Sequence, residues 1–506
     1  MQQIKRFWNQ FYPFILALIP VLLLRDFTPN NELKYIAVAA EALREHHWVA
    51  LTLQGESYTE FPPLYFWLLM LSKVVFRHWY MVQLGLFSLL PALGIVQVMH
   101  RWVCRYEMSG LRLIDGSQSR DLAQWMLFTT CMMTFMSFYV RMDMLNTFWI
   151  VLALYNFWQI LYEPLGANEE SGVKPRERYT VRYQFRFGLF VLLSFLTKGL
   201  WGPVIAFLTT TLYLLTSGRA KSWLRVWGWR TWLILLGGTG LWLCAAWVEG
   251  GMNYFAHIPD TFVYQPLLES LHVHQKPWFY YFGSVWWDTM PWGPLSMIVL
   301  VASMWRRWRN KEEHGMLRRW SLRTPLQNFF AMTVLSTLVL LSCVPGKIDV
   351  RLLPVLPFLI YVGVMQLGYW KWPQVWQWKM LWVCRFMLIG IFIGGCFMPK
   401  FNGQLGCYGH LCWKARSIAR ELGTEHYYTY HLNNMSNMDV YLHEDPRPAR
   451  LEDFFLGHLK NTLLLVDEEE YETLCVKLER LEVPAERRGT IVGRKAPYVV
   501  VIFRDN

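Results

Sequence analysis

Seven ionisable residues of this 506-residue chain sit where an apolar stretch begins or ends: Glu32, Glu60, Arg141, Asp143, Lys198, Lys347 and Arg351. A charge at the edge of an apolar block is costly unless it is paired or wet, so each is a candidate for function. Taken singly, a Lys or Arg in such a place reaches out to lipid headgroups. Taken together, the set describes a carboxylate facing several cations. That arrangement suits transfer of a group away from a phosphate: Lys and Arg neutralise the charge the leaving phosphate acquires, and a carboxylate removes the acceptor's proton. Glu32, with Asn31 beside it, is the first choice for the base, and Asp143 or Asp26 stands in reserve. Lys198, Lys347, Arg351 and Arg141 are the expected phosphate ligands.

The elements that must position these residues are of membrane type. Hydrophobic residues make up 54% of the chain and charged residues 17%, against roughly 25% charged in a soluble domain. The apolar residues fall into blocks of about 18 to 24, enough to cross a hydrocarbon core of about 30 Å. Many of the 28 Trp lie at block ends, among them Trp227, Trp229, Trp286 and Trp287, where amphipathic rings favour the headgroup layer. The net charge of +12 is carried largely by short basic runs between blocks, a cytoplasmic-loop pattern that argues against nucleic-acid binding. Of nine scattered cysteines, Cys407 and Cys412 are spaced to form a disulfide in an oxidising compartment.

Blocks at about 8–24, 81–103, 122–140, 144–163, 186–197, 200–217, 230–248, 280–304, 326–344, 352–370 and 379–398 read as spans. Residues 62–76 are apolar but short, begin with Pro62-Pro63 and carry Lys73, so they read as a re-entrant or interfacial helix. With that block left out and the N-terminus inside, the dense basic runs around Arg101–Arg120, Lys174–Arg182, Arg219–Arg225 and Arg306–Arg323 all fall on the cytoplasmic side. Counting it as a span would put every one of them outside. The same parity brings all seven candidates to the outer face. Within the first outer loop, 25–80, apolar residues from Leu33 to Leu43 recur at helical spacing, as in a helix lying in the interface. After residue 400 the blocks stop and the composition becomes that of a soluble α/β domain, with strands expected at 427–431, 462–466 and 498–503 and helices at 414–422 and 468–481. The expected fold is an α-helical polytopic membrane protein of about eleven spans over residues 1–399, with a small extracytoplasmic α/β domain over 400–506.

Four stretches carry a family resemblance. Asn31-Glu-Leu-Lys-Tyr35, Gly55-Glu56 and Glu60-Phe-Pro-Pro-Leu-Tyr65 resemble the first outer loop of the aminoarabinose lipid A transferase and protein O-mannosyltransferase superfamily, which typically reads D-E-x-R-Y and then E-K-P-P-L. Arg141-Met-Asp143 resembles its second acidic motif, Leu196-Thr-Lys198-Gly its L-T-K-G, and Gly346-Lys347 followed by Leu353-Pro354 its G-K-x-x-x-Y-x-L-P. The likeness covers roughly residues 10–370. It implies a glycosyltransferase of the GT-C type in the bacterial inner membrane, moving a sugar with inversion from a polyprenyl-phosphate donor to a lipid A-like glycolipid, another glycan or a protein. It also implies a divalent metal, to be held by Glu60 and His274 with His272 nearby.

Three departures qualify what the resemblance implies. Asn31 stands where the family has an acid, and an amide cannot accept a proton at neutral pH, so Glu32 or Asp143 must serve. Phe61 replaces a Lys and Arg351 a Tyr, so a cation lost at 61 and gained at 351 would leave a phosphate subsite with similar charge. Two other readings belong to different classes. A secondary transporter would show repeats and charges near span centres, where this chain has Arg385 alone. An inactive relative that binds polyprenyl phosphate is allowed by Asn31.

Overall fold

The structure is a computed structural model that describes residues 2–106, 118–162, 175–259, 276–309, 322, 324–344, 346–370, 373–402, 407, 409–423, 426–430, 437–442, 447–448, 462–480, 485–492 and 497–503. The apolar blocks are helical: α1 (Gln2–Leu24), α4 (Met81–Tyr106), α5 (Gln118–Thr129), α6 (Cys131–Phe138), α7 (Met142–Tyr162), α8 (Pro175–Lys198) and α9 (Trp201–Thr216). They continue with α10 (Trp229–Pro259), α11 (Tyr280–Asp288), α12 (Trp292–Arg309), α13 (Pro325–Cys343), α14 (Leu356–Tyr369) and α15 (Gln374–Cys396). A 3-10 turn, Asp349–Val355, leads into α14. Among the described residues, six helices are long and apolar enough to cross a membrane by themselves: α4, α7, α10, α13, the 3-10 turn with α14, and α15.

Two of the expected blocks are interrupted, and the interruptions meet. The first breaks at Thr130, extended at φ −67° and ψ 128°, and the second at Thr289–Pro291 between α11 and α12. The Cys131 N–H donates to the Met290 carbonyl at 2.8 Å, and the Trp292 indole N–H to Thr129 Oγ1 at 2.7 Å. Each break therefore satisfies backbone groups the other leaves open, which a buried non-helical segment requires. Around them the core is aromatic. Trp102 packs edge-on against Phe330 with centroids 5.1 Å apart, and Phe157, Phe329 and Phe358 are fully buried beside it.

The first outer loop folds as α2 (Lys34–Glu45), a two-stranded hairpin β1 (Thr52–Leu53) and β2 (Glu56–Ser57), and α3 (Leu64–Phe76). Thirteen residues give α3 a length of about 20 Å, short of the hydrocarbon core. Helix α2 does not lie open in the interface as its spacing suggests. Tyr35, Ile36, Ala37, Val38, Ala39 and Ala42 are all buried, so protein surrounds it on nearly every side; its alanines permit that close approach. Two carboxylates fasten the rest of the loop. Glu41 accepts the Gly55 N–H at 2.9 Å, and Glu249 accepts those of Val49 and Ala50 at 2.6 and 3.0 Å. Glu249 can reach because α10 kinks at Gly251, whose φ of 68° and ψ of −171° belong to a region open essentially to glycine.

Toward the C-terminus a five-stranded sheet has the order β4-β3-β5-β7-β6, from β3 (His426–Tyr430), β4 (Arg447–Pro448), β5 (Thr462–Asp467), β6 (Ala485–Val492) and β7 (Pro497–Phe503). Strands β4, β3 and β5 are parallel and the β5-β7-β6 half antiparallel. Leu463 to Val466 are all fully buried, the mark of a strand covered on both faces. Helix α16 (Gly409–Leu422) covers one face through Leu411, Cys412, Ala415 and Ala419, and α17 (Glu468–Arg480) also packs on β5 and β7. Cys407 and Cys412 are not joined; Cys412 is buried in this apolar layer.

Asp26 docks this region onto the membrane helices. One of its carboxylate oxygens accepts the Tyr441 hydroxyl and the other the Gly409 N–H at 2.8 Å, while Asn402 bonds the Asp26 N–H and the Leu24 carbonyl. Asp26 is therefore occupied in docking, which removes it as a reserve base. A Cβ at Gly409 would lie 2.3 Å from Asp26 Oδ2, so Gly409→Ala should force the two apart. Losing bonds to a charged acceptor costs about 1.5–3 kcal/mol, and we expect faster hydrogen exchange in α16 and around Tyr441. Unchanged exchange there would show that the contact does not hold the region in place.

Candidate functional site

The end of α1, the loop after it and the α6–α7 turn are joined by one ion pair. Arg25 and Glu32 are bonded through both guanidinium NH groups, one at 2.8 Å, and their side chains are 2% and 0% exposed. Glu32 also accepts the Thr28 N–H at 2.9 Å, the Thr28 hydroxyl at 3.0 Å and the Val140 N–H at 2.8 Å. Arg25 stacks on the Tyr139 ring at 4.8 Å. Both oxygens of Glu32 are thus taken by five donors inside the protein, and the expectation that it serves as the base is corrected: no acceptor can reach it.

The Val140 bond fixes the α6–α7 turn, and the turn presents Arg141 and Asp143. Asp143 lies in the first turn of α7, where the helix N-terminus favours an anion. It is 3% exposed, bonded to Arg141 Nε at 2.9 Å on one oxygen and to Lys198 Nζ on the other. Arg141 also donates to Asn31 Oδ1 at 3.2 Å. Lys198 ends α8, and Gly199 follows at φ 71°, so the glycine of L-T-K-G makes the left-handed turn that starts α9. Asp143, Asn146, Thr147, Lys198, Trp201 and Arg351 line one cleft.

Arg351 stands on the opposite wall, its guanidinium 4.3 Å over the Trp201 ring and bonded to the Gly346 carbonyl. Lys347 does not reach the cleft as expected. Its ammonium caps α13, donating to the Ser342 and Val344 carbonyls at 3.0 and 2.9 Å, a placement favoured by the negative end of the helix. Burial pulls Lys347 below the usual lysine value, and repulsion from Arg351 adds to it, while nearby Cys343 acts in the opposite direction. Phe61 lies edge-on to Tyr35 at 6.2 Å in the apolar cluster of the outer loop, whereas Arg351 belongs to the cleft. Nothing here joins 61 and 351 at one subsite. Burial raises the Tyr35 hydroxyl well above the usual tyrosine range, so that phenol stays neutral.

Glu60 is bonded to Lys34 and to the Tyr58 hydroxyl, and His272 and His274 lie outside the described residues. Among the described residues, no three His, Cys, Asp or Glu side chains group as metal ligands. A carboxylate already neutralised by lysine is a poor fit for a divalent ion.

The fold is shared with ArnT from Cupriavidus metallidurans. Its apo structure superimposes with a TM-score of 0.69 at 14% identity over 99% of this chain and 98% of that one. The same enzyme bound to undecaprenyl phosphate gives a TM-score of 0.68 at 15% identity over the same shares. In sequence, the chain is 22% identical over 350 residues to the undecaprenyl phosphate-alpha-4-amino-4-deoxy-L-arabinose arabinosyl transferase of Shewanella sediminis. That match covers 67% of this chain and 56% of the relative, little more than half its length. No protein-family model matches the chain. The chain thus shares the fold of ArnT over nearly its whole length.

Arg25, Trp201 and Asn146 are absent from the sequence-based candidates. Arg25 follows α1 directly and reads there as an ordinary flanking cation; nothing local points to a partner seven residues on. Removing one member of a buried pair is strongly destabilising, by about 3–5 kcal/mol. Glu32→Ala should therefore lower the melting temperature of the purified protein whether or not donor is present, and Arg25→Ala should do the same. A stable, correctly inserted Glu32→Ala protein that merely lacks turnover would restore the catalytic reading.

Proposed function

We propose that the protein transfers a sugar, with inversion, from a polyprenyl-phosphate donor to an acceptor of the bacterial envelope, at the outer face of the inner membrane. The acceptor is a lipid A-like glycolipid, another glycan or a protein. The observation that carries this reading is the cleft where Asp143 is held between Arg141 and Lys198 and faces Arg351. ArnT, which shares the fold, has been solved with undecaprenyl phosphate bound, and the Shewanella relative is named for such a donor. In this reading the chain crosses the membrane eleven times with the N-terminus cytoplasmic, which keeps the dense basic runs inside. The 25–80 loop and the sheet region beyond residue 400, a small α/β domain in this reading, then lie outside.

The chain's own residues suffice for a single displacement. The donor phosphate enters between Lys198 and Arg351, and draws Lys198 away from Asp143. That releases one Asp143 oxygen toward the acceptor hydroxyl. The acceptor oxygen bonds to the anomeric carbon as the bond from that carbon to the phosphate oxygen breaks. The acceptor's proton passes to Asp143, and the electron pair leaves with the phosphate, whose charge Lys198, Arg351 and Arg141 take up. Asn31 holds Arg141 in place and moves no proton. Because both Asp143 oxygens are engaged by Arg141 and Lys198, a relative that binds polyprenyl phosphate without turnover is the second reading.

Release of free polyprenyl phosphate from a sugar-loaded donor by the purified protein in vesicles separates the two. We expect release, its loss in Asp143→Asn with donor binding kept, and a weakening of donor use by about 1.5–3 kcal/mol in Lys198→Ala or Arg351→Ala. Tight donor binding with no release in the unaltered protein would establish the non-catalytic reading instead.

A further inference from the structure

Asn146 takes no part in the displacement, although it is buried and lines the cleft with Asp143, Lys198 and Arg351. It stands three residues after Asp143 on α7, and Ser194 stands four before Lys198 on α8. The Ser194 hydroxyl donates to Asn146 Oδ1 at 2.6 Å. This pair repeats, one turn further along both helices, the junction that Asp143 and Lys198 make. Helix α9 closes on it through Gly202, where a Cβ would lie 1.6 Å from Ser194 Oγ and 3.2 Å from Asn146 Oδ1. The bond also fixes which way the amide faces. Ser194 has one proton to give, and the amide oxygen accepts it, so the two N–H donors of Nδ2 are left over. No described residue accepts from them. Buried donors without a partner cost free energy, and a contact between helices needs only the half of the amide that Ser194 uses. The other half suits a ligand that brings an acceptor oxygen.

We propose that Asn146 determines donor specificity by donating a hydrogen bond to the sugar hydroxyl next to the anomeric carbon, and that Ser194 positions it. The inference rests on the proposed transfer from a polyprenyl-phosphate sugar. Position separates sugar from phosphate. Lys198 and Arg351 take the phosphate, and the amide lies one helical turn, about 5 Å, further along the cleft wall. That suits a group carried by the phosphate better than the phosphate's own oxygens. Charge agrees, because the cations already answer the anion, and a neutral donor held in one orientation is the kind of group that selects among hydroxyls. The carbon under attack must face Asp143. Its neighbour on the ring then comes to the next turn of α7, where Asn146 stands. Hydrogen bonds at that hydroxyl strengthen as positive charge develops on the sugar, so the same contact favours the transition state.

The test uses the full-length protein in phosphatidylcholine vesicles. The probes are undecaprenyl phosphate, its glucose, mannose and arabinose esters, and the 2-deoxy form of whichever ester binds best. The unaltered protein should prefer that ester to bare undecaprenyl phosphate. Asn146→Ala should cut the preference about tenfold, the effect of one hydrogen bond, and should make no difference on the 2-deoxy ester. Ser194→Ala deletes one oxygen and leaves the amide in place but free to turn, so it should cut the preference about threefold. It carries the test if Asn146→Ala does not insert. A preference that survives both variants would overturn the proposal, and so would an equal loss on bare undecaprenyl phosphate, which would make Asn146 a phosphate ligand or a packing contact. If the unaltered protein neither prefers any ester nor releases undecaprenyl phosphate from one, the transfer reading itself fails and takes this inference with it.

Discussion

The arrangement of the candidate site depends on a buried salt bridge. Arg25 closes α1, Glu32 opens the path into α2, and Val140 belongs to the turn between α6 and α7. Two charges withdrawn from water gain little on their own, because desolvation offsets much of their attraction. What they gain here is definition. The carboxylate of Glu32 has five donors around it, from Arg25, Thr28 and Val140, and so ties the end of α1 and the stretch after it to the α6–α7 turn. The turn so fixed is the one that presents Arg141 and Asp143, so the geometry of the cleft follows from a pair that takes no part in it.

A second carboxylate repeats the device one layer further out. Asp26 adjoins Arg25, and its oxygens hold Gly409 and Tyr441. The chain from Leu24 to Leu33 is consequently pinned from both sides, to the membrane helices by residues 25 and 32 and to the sheet region by residue 26. Glu41 and Glu249 perform the same service for the hairpin and for residues 48–50 by capturing backbone N–H groups. Asp26, Glu32 and Glu41 thus hold backbone N–H groups of neighbouring segments, a role that residue type and spacing alone do not distinguish from a catalytic one.

The helices were legible because each is an unbroken apolar block, and even the interrupted ones were placed as blocks. Of their breaks, the one at Thr289–Pro291 is marked by its proline, whereas Thr130 looks like ordinary apolar sequence; what holds the two together is their pairing across the fold, about 160 residues apart in sequence. Strand β5 was visible as a run of leucines, whereas β6, with Glu486, Arg487 and Arg488 in it, has no periodicity to read. For the cleft, the motif containing Lys198 and the one containing Asp143 identified residues that do meet. Motif membership failed at Lys347 and Glu32, because a short sequence specifies a residue type and a backbone turn, while the atoms that claim the side chain come from elsewhere in the fold.

The electrostatics of the cleft bear on which stage of the proposed reaction it fits best. Arg25 with Glu32 and Lys34 with Glu60 are neutral as pairs. Asp143 is shared between Arg141 and Lys198 while Arg351 faces them, which leaves the cleft with an excess of two positive charges among the described residues. A sugar-loaded polyprenyl phosphate is a diester with one negative charge, and the departing monoester approaches two. The excess therefore matches the phosphate better as the glycosidic bond breaks than before it does, which is the condition for lowering a barrier rather than merely tightening binding. Burial strengthens the preference, since these charges act in a site largely closed to water. A Tyr at 351, as in the family's motif, would leave one excess charge and a weaker preference.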